Sequence, residues 1–198
     1  MTVANPRLTS VTLAAYGWMP KDWAQRFYPE DLPSNWQMVY YSNDFNEVLV
    51  PASAWESGAL VADWSVLPAG FELYLEITTA LLESAHWAQV CECIEQTLAM
   101  QISGLWVDAS AQHQLPAAWG QRFAVHLATA DTLLATMPVN ANAQLGLLRT
   151  DQGLTPAALR TLFEALQAKT AHKDVVLFLD TPYAVVGQIQ LMRQVYGV

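Results

Sequence analysis

The sequence predicts an α/β protein built on a parallel sheet, because strand-like and helix-like segments alternate along its 198 residues. The segment Val175–Asp180 is almost wholly apolar, which is typical of a parallel strand buried on both faces. Phe71–Ile77 alternates instead and places Glu72, Tyr74 and Glu76 on one face. An inward row of such polar residues suits a barrel lumen, so a (β/α) TIM-type barrel is favoured over the alternative, an open parallel α/β sheet.

Three strands and two helical stretches are predicted in the first half of the chain. Val11–Tyr16 is rich in β-branched and apolar residues, and Glu47–Val50 is a short strand candidate. Phe71–Ile77 is the third strand and has the clearest pattern. Residues 21–42 are expected to be helical or turn-rich, with prolines that break the segment, and Ala54–Asp63 is expected to form a helix.

The second half continues the alternation. Ser84–Ile102 is predicted as a helix, because Ser84 can cap its N-terminus and an apolar residue recurs every three or four positions. Pro156 stands at the first position of the next helix, as proline often does. We expect residues 1–198 to form a single domain. Further strands are expected at Leu105–Asp108, Arg122–Leu127, Val175–Asp180 and, more weakly, Gln144–Leu148, with a closing helix at Tyr183–Val195.

Charge is scarce and unevenly placed. Only 14% of the residues are charged, against about a quarter in an ordinary globular domain. No Lys or Arg occurs between Arg26 and Arg122, whereas acidic residues recur throughout that stretch. Phosphate backbones and anionic membranes are bound by clustered basic residues, so neither nucleic acid nor a membrane is an expected partner. The glycine-rich motifs for dinucleotides and nucleoside triphosphates are absent from the sequence.

The sequence also bears on location and assembly. No segment has the length and apolar character of a transmembrane helix, and the N-terminus lacks the basic and apolar regions of a secretory signal. A cytoplasmic location is therefore expected. A surface so poor in charge exposes apolar area, which favours a homo-oligomer or a protein partner.

Four polar residues are candidates for catalysis. By strand alternation, their side chains are expected to point into the barrel near the carboxyl ends of the predicted strands, where barrels build their active sites. Three carboxylates and one imidazole could hold a divalent metal or work as an acid–base set, although no cofactor is predicted outright. The alternative is hydrogen-bonded polar capping of the barrel and, for the histidine, a satisfied place in the core. The four residues are Glu76, Asp108, His126 and Asp180.

Aromatic and basic residues are candidates for binding a small molecule. Trp18, Trp23 and Tyr28 follow the first strand, and aromatic faces of this kind stack on carbohydrate or other flat apolar ligands. The alternative for them is core packing beneath the first loop, with Trp18 the best candidate for an exception because it follows the strand directly. Arg149 could contribute a cation to a phosphate site formed with the backbone amides of a helix start.

The N-terminal segment carries a specific pattern of aromatic residues. The pattern consists of Tyr16-Gly17-Trp18, Asp22-Trp23, the run Phe27-Tyr28-Pro29-Glu30-Asp31-Leu32-Pro33, Tyr40-Tyr41 and Phe45. Over residues 11–48 it resembles the opening of the YecE-like family, domain of unknown function 72. Weaker similarities at Pro68–Phe71, Arg122–Val125 and Val175–Asp180 extend along most of the chain. The resemblance implies a TIM-type barrel that is abridged in its second half, and it implies no established reaction.

The polar positions of that family are largely substituted in this chain. Its glutamate and asparagine after the second strand correspond to Leu49 and Pro51, and its lysine at the end of the third strand corresponds to Glu76. The glutamate, arginine and histidine of a later strand correspond to His126, Ala128 and Thr129, and the last asparagine pair to Asp180 and Thr181. Because the scaffold pattern persists while the site residues differ, we favour a binding or protein-interaction role. The alternative is a metal-assisted or acid–base hydrolase with a rewired site.

Overall fold

The computed structural model of the chain describes residues 10–18, 22–56, 67–98, 101–128, 133–139, 141–170 and 174–198. The strands in this part are β1 (Ser10–Tyr16), β2 (Glu47–Val50), β3 (Glu72–Ile77), β4 (Ile102–Asp108), β5 (Ala124–Ala128), β6 (Ala143–Arg149) and β7 (Asp174–Asp180). Their order across the sheet is β5-β4-β3-β2-β1-β7-β6. Every neighbouring pair is parallel, so all the carboxyl ends of the strands lie on the same side.

A short segment joins the two outer strands of this sheet. Leu127 of β5 pairs with Thr136, and Gly146 of β6 pairs with Leu134, both in antiparallel orientation. The Thr136 N–H donates to the Leu127 carbonyl at 2.6 Å. The sheet therefore forms a nearly closed barrel, which confirms the predicted TIM-type barrel and not the open sheet.

Helices cover the outside of the barrel. They are α1 (Trp23–Arg26), α2 (Gln37–Tyr41), α3 (Ala52–Glu56), α4 (Thr79–Leu82), α5 (Trp87–Cys93), α6 (Trp119–Arg122), α7 (Pro156–Thr170) and α8 (Tyr183–Tyr196). Turns of 3-10 helix lie at Ser34–Trp36 and Ala109–Gln114, and a π-helical turn lies at Ile94–Leu98. None of the helices in the described part of the chain combines the length and apolarity that a bilayer crossing requires.

Several predicted boundaries are wrong. The helix predicted over Ser84–Ile102 is shorter, because α5 passes into the π-helical turn and Ile102 already opens β4. Ile102 still packs against the core, so the apolar pattern runs on after the helix has ended. Arg122 ends α6 instead of opening β5. The helix predicted over Ala54–Asp63 begins at Ala52, and its residues 57–63 lie outside the described residues.

The strands carry two apolar surfaces. Outward residues such as Leu73, Leu75 and Ile77 of β3 are buried beneath the helices, which confirms the predicted alternation of this strand. A second set of buried residues fills the lumen and separates its two ends. This lumen set comprises Ala14, Leu49, Tyr74, Trp106, Ala128, Ala135, Leu145, Leu147, Val176 and Phe178.

The aromatic residues of the N-terminal pattern form one packed cluster. Trp23 and Phe45 have ring centres 5.6 Å apart, and the stacked rings of Tyr41 and Phe45 are 4.7 Å apart. The Tyr41 hydroxyl accepts from the Ala15 N–H and donates to the Glu47 carbonyl, each at 2.8 Å. Tyr41 thereby links β1 to β2 from the outer face of the barrel. This part of the aromatic pattern therefore has a structural role.

The Asp22-Trp23 pair ties the first loop to the last helix. Asp22 Oδ1 accepts from the Tyr183 N–H at 2.7 Å, which satisfies an amide at the N-terminus of α8. Trp23 Nε1 donates to the Thr181 carbonyl at 3.0 Å. Since Thr181 directly follows β7, these contacts fix the chain where β1 and β7 end.

Candidate functional site

Glu76 lies at the centre of a hydrogen-bonded cluster where the strands end. It stands near the end of β3, faces the lumen, and its side chain is only 9% exposed. Its Oε2 accepts from the Tyr16 hydroxyl at 2.5 Å and from the Ala52 N–H at 2.9 Å. Its Oε1 accepts from Arg149 Nη2 at 3.1 Å. Both oxygens are therefore occupied, and the carboxylate is held as an acceptor.

Arg149 is the cation of this cluster. It ends β6 in register with Asp180, the last residue of β7, and its Nε lies 3.6 Å from Asp180 Oδ2. The guanidinium carbon lies 4.8 Å from the centre of the Tyr16 ring, a distance typical of cation–π contacts. The side chain is 52% exposed. Arg149 thus holds its charge in a fixed position that solvent and ligands can reach.

Tyr16 acts in the cluster as a hydrogen-bond donor. Burial, and after it the negative charge of Glu76, raises the pKa of the Tyr16 phenol well above its ordinary value. The hydroxyl therefore keeps its proton at neutral pH and donates a hydrogen bond to Glu76. Tyr16 is the last residue of β1 and shares the inward parity of Ala14, so the strand pattern contained the signal that identifies it.

Asp108 lies close enough to this cluster for the charges of Glu76 and Arg149 to affect its carboxyl group. It ends β4, and the Thr79 N–H donates to its carboxylate. Burial and the charge of Glu76 raise its pKa, while Arg149 and the Thr79 hydrogen bond oppose the rise. We call the five residues Tyr16, Glu76, Asp108, Arg149 and Asp180 the carboxyl rim.

His126 does not join the carboxyl rim. Its imidazole is 1% exposed and lines a cavity together with Ser10 and Thr12, which stand at the amino end of β1. Burial lowers the pKa of His126 to about 4, so the ring is neutral at physiological pH. Within the described residues no three His, Cys, Asp or Glu side chains are arranged to hold a metal ion. No three of the four predicted catalytic residues are therefore grouped in this way.

The three aromatic candidates differ in their accessibility. Trp23 is fully buried, and Tyr28 is nearly so, with its hydroxyl donating to the Trp18 carbonyl. Both belong to the packed core, which is the alternative that the sequence left open for them. Trp18 is only partly buried and lies two residues beyond the last residue of β1. It packs against the outer core and is the least buried of the three aromatic candidates.

The backbone also contributes a group that the sequence did not predict. The Ala52 N–H reaches Glu76 because α3 begins directly after β2, with Pro51 between them. An amide donor leaves no trace in the residue type, so no sequence pattern could have identified it. A second backbone hydrogen bond joins the end of β1 to β2, where the Gly17 N–H donates to the Leu49 carbonyl at 2.7 Å. Gly17 has a φ of 73°, a left-handed conformation that glycine adopts without strain.

The chain matches no family model and no curated protein. Its structure is similar to the crystal structure of a DUF72 family protein from Thermotoga maritima MSB8, with a TM-score of 0.57. The alignment covers 93% of this chain and 99% of that chain, at 12% sequence identity. DUF72 is the YecE-like family, so the solved structure confirms the predicted resemblance at the level of the fold.

Proposed function

We propose that the protein is a binding protein whose carboxyl rim takes a small, uncharged, polyhydroxylated ligand such as a monosaccharide. The observation that carries this proposal is the placement of Arg149. Its guanidinium is half exposed, yet Glu76, Asp180 and the Tyr16 ring hold it in one position. A few precisely placed polar groups of this kind orient small ligands in protein sites.

The rim offers both donors and acceptors to such a ligand. A guanidinium has five N–H donors, and the contacts of Arg149 with Glu76 and Asp180 leave donors for ligand hydroxyls. Three carboxylates surround this one cation, namely Glu76, Asp108 and Asp180. The negative balance repels phosphates and carboxylates, which favours an uncharged ligand over the anion that Arg149 alone would suggest.

One of the aromatic candidates lies close in sequence to these polar groups. Trp18 is partly exposed and follows the strand that ends in Tyr16. Indole rings stack on the apolar faces of sugar rings, while the hydroxyls at the sugar's edge need donors and acceptors. The combination of Trp18 with Arg149 and its carboxylates therefore supports a carbohydrate more than a purely apolar ligand.

Hydrolysis by the four predicted catalytic residues is supported less well. Both oxygens of Glu76 already accept hydrogen bonds, so this carboxylate is committed to holding Tyr16 and Arg149. His126 lines the cavity at the amino ends of the strands, and no rim residue lines that cavity. An acid–base mechanism needs two groups within reach of one substrate bond, which makes Glu76 and His126 a weak pair for it.

Amide NMR of the labelled protein tests this function directly. We would titrate glucose, mannose and galactose separately and follow the Gly17 and Thr150 amides and the Trp18 indole. At least one sugar should shift these signals in a saturable manner, and Arg149→Ala should weaken its binding about tenfold or more, the effect of losing one charge-assisted hydrogen bond. Arg160→Ala is the matched control, because Arg160 also pairs with a carboxylate but on the exposed face of α7.

Binding that survives Arg149→Ala unchanged, or shifts that fall only on residues far from the rim, would contradict the proposal. Saturable release of a reducing end from a glycoside, abolished by Asp108→Asn, would favour the hydrolase instead.

A further inference from the structure

A polar cavity opens at the end of the barrel opposite the carboxyl rim, where the strands begin. Its volume is about 340 Å³, and inward residues of all seven strands line it. Its described lining shares no residue with the carboxyl rim, and the packed lumen lies between the two. We call it the amino-end cavity.

Two residues that line this cavity each carry a buried polar atom without a hydrogen-bond partner. The atoms are His126 Nδ1 and Glu47 Oε2, both shielded from solvent. The His126 side chain is almost completely buried and sits in the wall of the cavity. Buried polar groups of folded proteins are nearly always satisfied, so an orphaned pair in one cavity points to a molecule that completes their hydrogen bonds.

The charge of the cavity limits what that molecule can be. Glu47 and Glu72 are register partners on neighbouring strands, and Asp174 adds a third carboxylate. The described lining contains no Lys or Arg to balance them. Glu72 already accepts from the Tyr74 hydroxyl at 2.8 Å and Asp174 from Ser10 Oγ at 2.7 Å, which leaves Glu47 as the least satisfied of the three.

We propose that the amino-end cavity binds a small amino alcohol, with its ammonium group against Glu47 and Glu72 and its hydroxyl at His126 Nδ1. An ammonium supplies both the positive charge and the donors that this carboxylate pair lacks. A hydroxyl can donate or accept, so it suits either tautomer of the neutral imidazole. The cavity volume is at the lower end of the range for small-molecule sites, which favours a compact ligand.

Binding of such a cation should depend on pH through Glu47. Burial, and after it the charge of Glu72, raises the pKa of Glu47 to about 7. Tyr74 and His126 face the same cavity and stay neutral above pH 6, since burial raises the pKa of Tyr74 and lowers that of His126 to about 4. A lysine-like ammonium keeps its charge to about pH 10. Affinity should therefore rise as Glu47 ionises beside Glu72 and Asp174.

The test is a titration of the protein with 3-amino-1-propanol at pH 6 and pH 8, read by the imidazole nitrogen signals of His126. We expect a saturable shift of Nδ1 and an affinity about five- to tenfold higher at pH 8. Propan-1-ol and n-propylamine serve as probes that each lack one of the two groups. The first should leave the His126 signals unchanged, and the second should bind without the full Nδ1 shift.

Two variants make the test specific. Glu47→Gln should lower the affinity for 3-amino-1-propanol at pH 8 about tenfold and remove its pH dependence, while the exposed Glu83→Gln should change neither. Arg149→Ala should also leave the affinity unchanged, because the rim is a separate site. The proposal is overturned if the wild-type protein shows no His126 shift, if the affinity is the same at both pH values, or if Glu47→Gln binds as well as the wild type.

Discussion

A single carboxylate, Glu76, organises the carboxyl end of the barrel. It receives hydrogen bonds from a phenol, a backbone amide and a guanidinium that come from three different parts of the chain. Its burial makes these partners necessary, because an ionised carboxylate without them is strongly disfavoured away from water. Glu76 therefore positions Tyr16 and Arg149 as much as they stabilise Glu76.

Removing the cation of this cluster should destabilise the fold. Deleting one partner of a fully buried ion pair costs about 3–5 kcal/mol, but Arg149 is half exposed and water can replace part of its contact, so we expect Arg149→Ala to cost about 1–2 kcal/mol. Urea unfolding at pH 7 measures this difference. Arg160→Ala, which opens an exposed pair with Glu164, should have no measurable effect. Equal stability of the two variants would show that Arg149 is not needed by Glu76.

Glu47 should make the stability of the protein depend on pH. Its folded pKa of about 7 exceeds its ordinary value of about 4.3, so between these pH values the unfolded chain binds fewer protons and stability falls as pH rises. Glu47→Gln removes this dependence and should raise the melting temperature at pH 8 relative to the wild type, with the difference shrinking toward pH 5. Thermal unfolding across this range tests it, with Glu83→Gln as the control. A Glu47→Gln variant that melts below the wild type at pH 8 would contradict the raised pKa.

At the scale of elements, the barrel is closed by a short segment that no strand pattern in the sequence predicted. The segment 133–136 pairs with both β5 and β6 and occupies the place where an eighth strand would stand. Gly146 of β6 allows this approach, because a Cβ there would lie 3.0 Å from Leu134 Cδ2 and 3.1 Å from Leu177 Cδ1. The closure is therefore held by close packing as well as by hydrogen bonds.

This packing gives Gly146 a specific role in stability. Gly146→Ala should destabilise the protein by about 1–2 kcal/mol, because the two leucines must move to admit the new methyl group. Gly187→Ala is the matched control, since Gly187 lies in α8 with nothing near its missing Cβ, and it should stabilise the helix by about 0.5–1 kcal/mol. Chemical denaturation compares the two. If Gly146→Ala were as stabilising as Gly187→Ala, the segment 133–136 would not be packed against β6 as described.

The strand patterns carried most of what could be predicted about the fold and part of what concerns the site. Alternation in β3 correctly placed Glu76 in the lumen, and Asp108 and Asp180 end their strands as expected. Strand alternation alone could not say which end of the lumen a side chain reaches, and His126 lines the cavity at the amino ends of the strands. The antiparallel closure lies in four residues with no strand pattern, and the end of α5 was hidden because apolar residues continue into β4.

At the scale of the whole molecule, the uneven distribution of charge along the sequence corresponds to particular strands of the barrel. The stretch without Lys or Arg between Arg26 and Arg122 contains β2, β3 and β4, so these strands bring acidic but no basic side chains to the ends of the lumen. Arg149 reaches the carboxyl rim from β6, outside that stretch, whereas the described lining of the amino-end cavity has no such cation. The two ends therefore differ in charge balance, which is why we assign them different ligands.

The scarcity of charge still predicts self-association or a protein partner. The described surface offers one pair of exposed apolar side chains on a shared helix face, Leu191 and Val195 of α8. Sedimentation velocity over a hundredfold range of concentration should show a rising sedimentation coefficient. Replacing both residues with glutamine should reduce that rise, whereas Val139→Gln, at an exposed apolar residue outside the helices, should not. A monomer at every concentration would contradict self-association.

The central claim is that the carboxyl rim is a preformed binding surface held by Glu76. The most direct measurement is a crystal structure of the protein soaked with the monosaccharide that binds best in solution. We predict sugar hydroxyls within hydrogen-bonding distance of the Arg149 guanidinium, with Glu76 still accepting from Tyr16, Ala52 and Arg149 as it does without ligand. A sugar bound elsewhere on the barrel, or a Glu76 carboxylate that has left these three donors to contact the sugar, would contradict the account.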